Sequence, residues 1–227
     1  MGRLLGRTAQ VQVRHVTPVP PGSARGLVAE VYAQVERDVG VLAPPISLHS
    51  PAPAVLAAAW ALLRETMLAP GRVPREVKEA VAVAVSQVNA CQYGVDVHSV
   101  ALHGLGRDRD AVALAEDRVA GPDLLPVTGW ARASGLRRQA AAASLPGPVE
   151  QAPELIGTVV TVHYLSRMVN LFLTASPIPL GLPPTVRRAA RRVAGRVVRS
   201  ALDREVAPGA ARELLPAAAL PADLSWA

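Results

Sequence analysis

The sequence predicts an all-α protein, and three observations carry that expectation. Aromatic residues make up only 3% of the 227, with Phe172 the single phenylalanine, so alanine, valine and leucine must build the core. Apolar residues recur at three- and four-residue steps, as at Val28, Val31, Tyr32 and Val35, which is the spacing of a helix with one buried face. No stretch alternates apolar and polar residues for long enough to propose a sheet.

Residues 1–23 carry Pro18, Pro20, Pro21 and Gly22 and are expected to form an arm. A helix is expected over 24–39, stopped by Gly40, which suits a left-handed cap. Residues 43–50, with Pro44 and Pro45, are expected to form a loop. Ser50 before Pro51 is a start signal, a capping hydroxyl followed by proline in the first turn. That helix should reach Met67 and break at Pro70-Gly71. Val73-Pro74 opens the next helix, which holds Glu79 and the apolar run 80–85. Asn89 is placed to cap a following helix, with Cys91 in its first turn and an end near Gly104 or Gly106. Further helices are expected over 108–119, 130–143 and 154–174, and prolines break the chain over 176–184.

Residues 185–206 should form an amphipathic helix, with Val186, Ala190, Val193, Val197 and Ala201 on the covered side and Arg188, Arg192 and Arg199 mostly away from it. The other use of such a helix is docking on acidic lipid or nucleic acid, a weaker reading here. Residues 207–227 are expected to form a loosely attached tail. The organisation is therefore one helical domain, 24–206, between an arm and a tail.

Composition bounds the function. Half the residues are apolar, which argues against global disorder. The net charge is +6, yet Lys78 is the only lysine, and a nucleic-acid binder should add stacking aromatics or a recognised module. The longest apolar run, 155–175, contains His163, Arg167 and Asn170, so it is expected to be a buried helix and not a membrane span. Residues 1–16 lack an apolar core followed by a small-residue cleavage site, so no signal peptide is expected. A single cysteine permits no intrachain disulfide and suits a reducing, cytoplasmic compartment. Five scattered histidines give no zinc spacing, and no phosphate-cradling loop with its lysine is present, so neither metal nor cofactor is expected.

The chemistry concentrates in residues 79–98. Cys91 in the first turn of a helix would have unpaired N–H groups and the positive dipole end beside it, which favour thiolate over thiol. Residues 91, 94, 95 and 98 share one helix face, but His98 lies two turns, ~10.5 Å, along the axis from Cys91. Gly94 stands between them and offers no side chain, leaving a small void, a water site or a closer backbone approach. Glu79 lies on the preceding helix. If the two helices fold back on each other, its carboxylate can fix the tautomer of His98 and raise the basicity of the ring.

These residues resemble a known signature. Glu-x11-Cys-x-x-Cys-x3-His marks the alkylhydroperoxidase D and carboxymuconolactone decarboxylase family. The chain is similar to it at Glu79, Cys91, Tyr93 and His98, in a matching context of apolar helix, then N-A-C-x-Y, then V-x-x-H. The similarity is clear over 74–105, and the helical layout of 24–174 looks, more loosely, like longer members. The resemblance implies an alkylhydroperoxidase D-like all-α bundle, usually a homo-oligomer. It also implies hydroperoxide reduction through a disulfide between two cysteines, with a glutamate and a histidine relaying protons. A hydroperoxide or other small molecule would be the substrate, and a lipoylated or thioredoxin-like dithiol the reductant. Carried over singly, Glu79 matches the relay acid, Cys91 the first cysteine, His98 the relay base, and Tyr93 a position that holds Tyr or His.

Gly94 departs from the signature, because it replaces the second cysteine. Either peroxidase activity is weakened or lost, or Cys91 works alone and is resolved by an external thiol. The first fits better, since His98 is poorly placed to activate Cys91 without an intermediary. Two other classes stay open: a non-catalytic helical scaffold or partner of an active paralogue, and a cofactor-free acid–base enzyme acting on a lactone carboxylic acid, as in the decarboxylase branch. His163, Arg167 and Asn170, at i, i+4 and i+7, form either a polar wall facing the Cys91 pocket or satisfied polar groups between helices.

Overall fold

The computed structural model describes residues 13–136, 144–174 and 176–215. Among these residues there are nine α-helices and no β-strand; a single β-bridge pairs Val13 with Leu173. The helices are α1 (Gly26–Val39), α2 (Pro44–Ser47), α3 (Pro53–Leu63), α4 (Arg75–Val88), α5 (Gln92–Gly104), α6 (Asp108–Ala115), α7 (Leu125–Ala133), α8 (Ala152–Phe172) and α9 (Pro184–Leu202). The protein is all-α, as its sequence predicts.

Several boundaries follow from local chemistry. Gly40 ends α1 with φ 89°, a conformation that costs a side-chain-bearing residue more. Proline occupies the first turn of α2, α3, α7, α8 and α9, where its missing N–H costs nothing. Other expectations fail. The segment 43–50 is not all loop, because Pro44–Ser47 makes one helical turn. Ser50 caps nothing: its hydroxyl accepts the Val19 N–H at 2.7 Å, and α3 starts two residues later behind Ala52. The helix expected over 130–143 instead starts at Leu125 and ends at Ala133, and 137–143 lie outside the described residues.

The core has two main clusters. One is built on α4, whose residues 78–86 are all buried, with partners from α5, α6, α7 and α8. The other joins α1, α2 and α3 around the fully buried Trp60 and takes in Ala211. The stretch after α9 is therefore not loose over its described part. Glu65 accepts the N–H groups of Gly209 and Ala211, and the buried Arg64 donates to the Ala207 carbonyl. A small third cluster holds Cys91 with Leu48, Val169 and Leu173. In α8, Leu155, Val159, Val162 and Val169 are buried, while Ile156, Val160 and Leu171 stay exposed on another side.

The face that α9 buries is not the expected one. Arg187, Arg191 and Gly195 point inward, while Val186, Val193 and Val197 are exposed. Two features of α5 explain the reversal. Asp96 is completely buried and pairs with both Arg187 and Arg191. About two turns beyond Asp96, Gly104 meets Gly195 and the helix backbones touch, since a Cβ at Gly195 would lie 2.9 Å from the Val100 carbonyl and 3.0 Å from the Gly104 nitrogen. Charge pairing and backbone approach outweigh the apolar stripe.

Candidate functional site

The site is built on the α4–α5 hairpin. The helices are joined by Asn89, Ala90 and Cys91, with Ala90 in the left-handed region at φ 51°. Asn89 is not the cap of α5. Its amide donates back to the Val85 carbonyl at 2.8 Å and closes α4, so Cys91 itself takes the N-cap position. The antiparallel fold-back sets residues on α4 against residues on α5, roughly mirrored about the turn.

Glu79 and His98 meet across this hairpin. The Nδ1–H of His98 donates to Oε2 of Glu79 at 2.7 Å, and Nε of Arg75, one turn before the acid, donates to Oε1 at 2.6 Å. Burial alone would raise the carboxyl, but the charge of Arg75 and the hydrogen bond and charge of His98 together hold Glu79 down at about 2. The carboxylate therefore stays ionised and fixes the ring proton on Nδ1. In the neutral ring this leaves Nε2 as the free base on a side chain that is 17% exposed.

Cys91 is a different case. Only 1% of it is exposed. Burial pushes its thiol above the ordinary value, outweighing the N–H groups of Gly94 and Tyr93 and the hydroxyl of Ser166, while the charge of Asp96 adds to the rise. The expected thiolate-favouring turn is present, but desolvation wins, and the sulfur stays protonated at neutral pH. Tyr93 packs beside it, and burial, then the nearby sulfur, raise its phenol as well.

Gly94 opens neither a void nor a water site, because α4 packs directly against it. A Cβ built there would lie 2.3 Å from Oγ of Ser86, 3.0 Å from its Cβ and 3.5 Å from Sγ of Cys91. Of the three arrangements that a glycine permits at this point, the chain uses close approach.

His163 sits between helices. Its Nδ1 accepts from the Asn89 amide at 2.8 Å, and its Nε2 pairs with Oγ of Ser134 at 2.9 Å. Burial, then the charge of Arg167, lowers its pKa. Asn170 donates to the Asn89 carbonyl at 2.8 Å, and Arg167 is exposed. His163 and Asn170 brace α8 against the hairpin turn, while the α8 side chain that hydrogen-bonds the thiol is Ser166. A surface cleft of about 380 Å³ lies elsewhere, between α6 and α9, and its walls include His103, Arg109, Arg188 and Arg192 but neither Cys91 nor His98. Among the described residues no three His, Cys, Asp or Glu side chains gather to hold a metal.

The hairpin with its acid–imidazole pair lies inside a segment that matches a known family model. Residues 54–141 fit the carboxymuconolactone decarboxylase family. The stretch that carries the Glu79–His98 hairpin is thus similar to that family. The chain is also 37% identical over 219 residues to an alkyl hydroperoxide reductase of Mycobacterium tuberculosis, an alignment that takes in 95% of this chain and 61% of that protein. The chain thus spans less than two thirds of that relative's length. No solved structure matches it.

Ser86, Ser166, Asp96 and Arg75 complete the surroundings of the site, and the reading of the sequence singled out none of them. Arg75 was legible as the i−4 neighbour of Glu79, a standard ion-pair spacing. Asp96 was legible as a lone acid inside an apolar helix. Ser86 and Ser166 carried no signal, because a serine in an apolar helix is ordinary.

Proposed function

We propose that this protein is an alkylhydroperoxidase D-like member whose hydroperoxide-reducing thiol chemistry is weakened because Gly94 replaces the second redox cysteine. The observation that carries the reading is the split state of the site: the Glu79–His98 pair is assembled at 2.7 Å while Cys91 is buried and protonated.

In two-thiol hydroperoxide reduction, a thiolate attacks one peroxide oxygen, giving a sulfenic acid and releasing the alcohol. A second thiol then attacks that sulfur, forms the disulfide and expels water. Here the first step lacks its thiolate and the second lacks its thiol. Glu79 still holds the His98 ring, but His98 lies two turns along the helix from the buried Cys91, too far for a direct hydrogen bond without an intermediary. Any turnover would need an external dithiol or lipoylated reductant to attack an oxidised Cys91, and a reducing cytoplasm would supply one. A coupled assay with cumene hydroperoxide and dihydrolipoamide tests this. We expect turnover at background and the same for C91S; Cys91-dependent turnover at the ~10 s⁻¹ typical of enzymes would overturn it.

One observation favours a second reading. Arg75, 26% exposed, stands beside the ionised Glu79 and the free Nε2 of His98, so the pair could perform acid–base work on a small carboxylic acid such as a lactone acid, with a guanidinium to hold its carboxylate.

A further inference from the structure

We propose that Ser86 is the residue that closes the second-thiol position, so that position 94 accepts a side chain only when the one at 86 is shortened. The proposal rests on the family reading for the identity of position 94, and its packing argument stands apart from that reading.

Three observations converge. The Cβ that any other residue would carry at 94 meets Oγ of Ser86 at 2.3 Å and its Cβ at 3.0 Å, distances that two buried helices cannot share without moving. Rotating the hydroxyl relieves only the first contact. Both residues are fully enclosed: Ser86 is 0% exposed, and Gly94 is buried. The Ser86 hydroxyl is also one of three buried polar side-chain atoms without a hydrogen-bond partner among the described residues. A buried hydroxyl left unpaired is uncommon and costly, so hydrogen bonding does not account for Ser86 at this position. Its shape does: the side chain fills the space that the missing one vacates. The same built Cβ lies 3.5 Å from Sγ of Cys91, near enough for a thiol there to close an S–S bond of about 2.05 Å with modest torsion.

A double-mutant cycle tests the packing without any thiol chemistry. In a helix, Gly→Ala alone should stabilise. We expect G94A to lower Tm by about 3–10 °C in the wild-type background through overpacking. In the S86A background the penalty should shrink, and in the S86G background it should reverse to a gain of about 2–4 °C. An equal effect of G94A in all three backgrounds would overturn the proposal.

The thiol arm uses diamide, which takes two electrons and two protons from a pair of thiols, reducing its N=N bond to a hydrazide as one S–S bond forms. S86G/G94C should lose both thiols to an intramolecular disulfide, whereas G94C alone should oxidise at least tenfold more slowly. Equal rates would overturn the role of Ser86. A double variant that keeps both thiols free, with the alanine cycle behaving as expected, would instead overturn the assignment of position 94 as the second-thiol site.

Discussion

D96N is expected to destabilise the protein by ~3–5 kcal/mol, because removing one partner of a buried ion pair leaves the other charges uncompensated. Asp96 is 0% exposed and accepts from Arg187 at 3.0 and 2.9 Å and from Arg191 at 2.8 and 2.6 Å. Gln92 and the Ser176 hydroxyl add further donors. Neutralising the carboxylate would leave two nearly enclosed guanidiniums facing one amide oxygen, and α9 would lose its anchor on the helix that carries His98. Replacing the whole triad by apolar residues of similar volume, as in D96L/R187M/R191L, should cost much less than D96N alone, since no charge would stay behind. Urea unfolding of the three proteins checks this. A D96N loss below 1 kcal/mol would mean that the pair contributes nothing to holding α9.

The second large effect is on acid stability through Glu79. Its folded pKa, about 2, lies below the ordinary 4.5, so the ionised form is favoured in the fold. A group depressed in this way gives stability that is fully present above 4.5 and is lost as pH falls towards 2. The shift corresponds to roughly 3 kcal/mol. His163 acts in a separate window. Its pKa is lowered from 6.5, so its neutral form is favoured, and its contribution is lost as pH drops below that value. E79Q should therefore remove the steep part of the stability curve below pH 4.5. It should also cost stability at pH 7, because Arg75 and His98 would face one neutral amide oxygen in place of two carboxylate oxygens. Chemical denaturation of wild type and E79Q from pH 7 to pH 3 measures both effects. Parallel curves would show that the Glu79–His98–Arg75 cluster carries no folding energy.

Much of the fold was legible because its signals are local. Gly40 ends α1 where a left-handed cap was expected, and Pro74 stands before α4. The apolar run of α4 is buried on every side, as its composition suggests. What was not legible depended on the partner across a contact. Periodicity picks the most apolar stripe of α9, but Asp96 on α5 draws the opposite stripe inward, and the valines are left outside. Asn89 has the right chemistry for an N-cap, yet the left-handed Ala90 tightens the hairpin so that the asparagine closes the helix before it.

The site divides in the same way. The meeting of Glu79 with His98 needs only a fold-back of the two helices and side chains long enough to span a one-turn offset, so it could be foreseen. The state of Cys91 did not follow, because helix position favours the thiolate while burial, visible only in three dimensions, opposes it more strongly. That balance leaves an assembled acid–imidazole pair and a buried, protonated sulfur on one hairpin.

Exposure of the purified protein to stoichiometric cumene hydroperoxide, with dimedone present to trap sulfenic acid, tests this balance most directly by intact mass and peptide mapping. We expect Cys91 to remain an unmodified thiol at pH 7 over times in which free cysteine is consumed. Rapid, complete dimedone labelling at Cys91 would contradict the account, since it would require an accessible thiolate where the structure places a buried thiol.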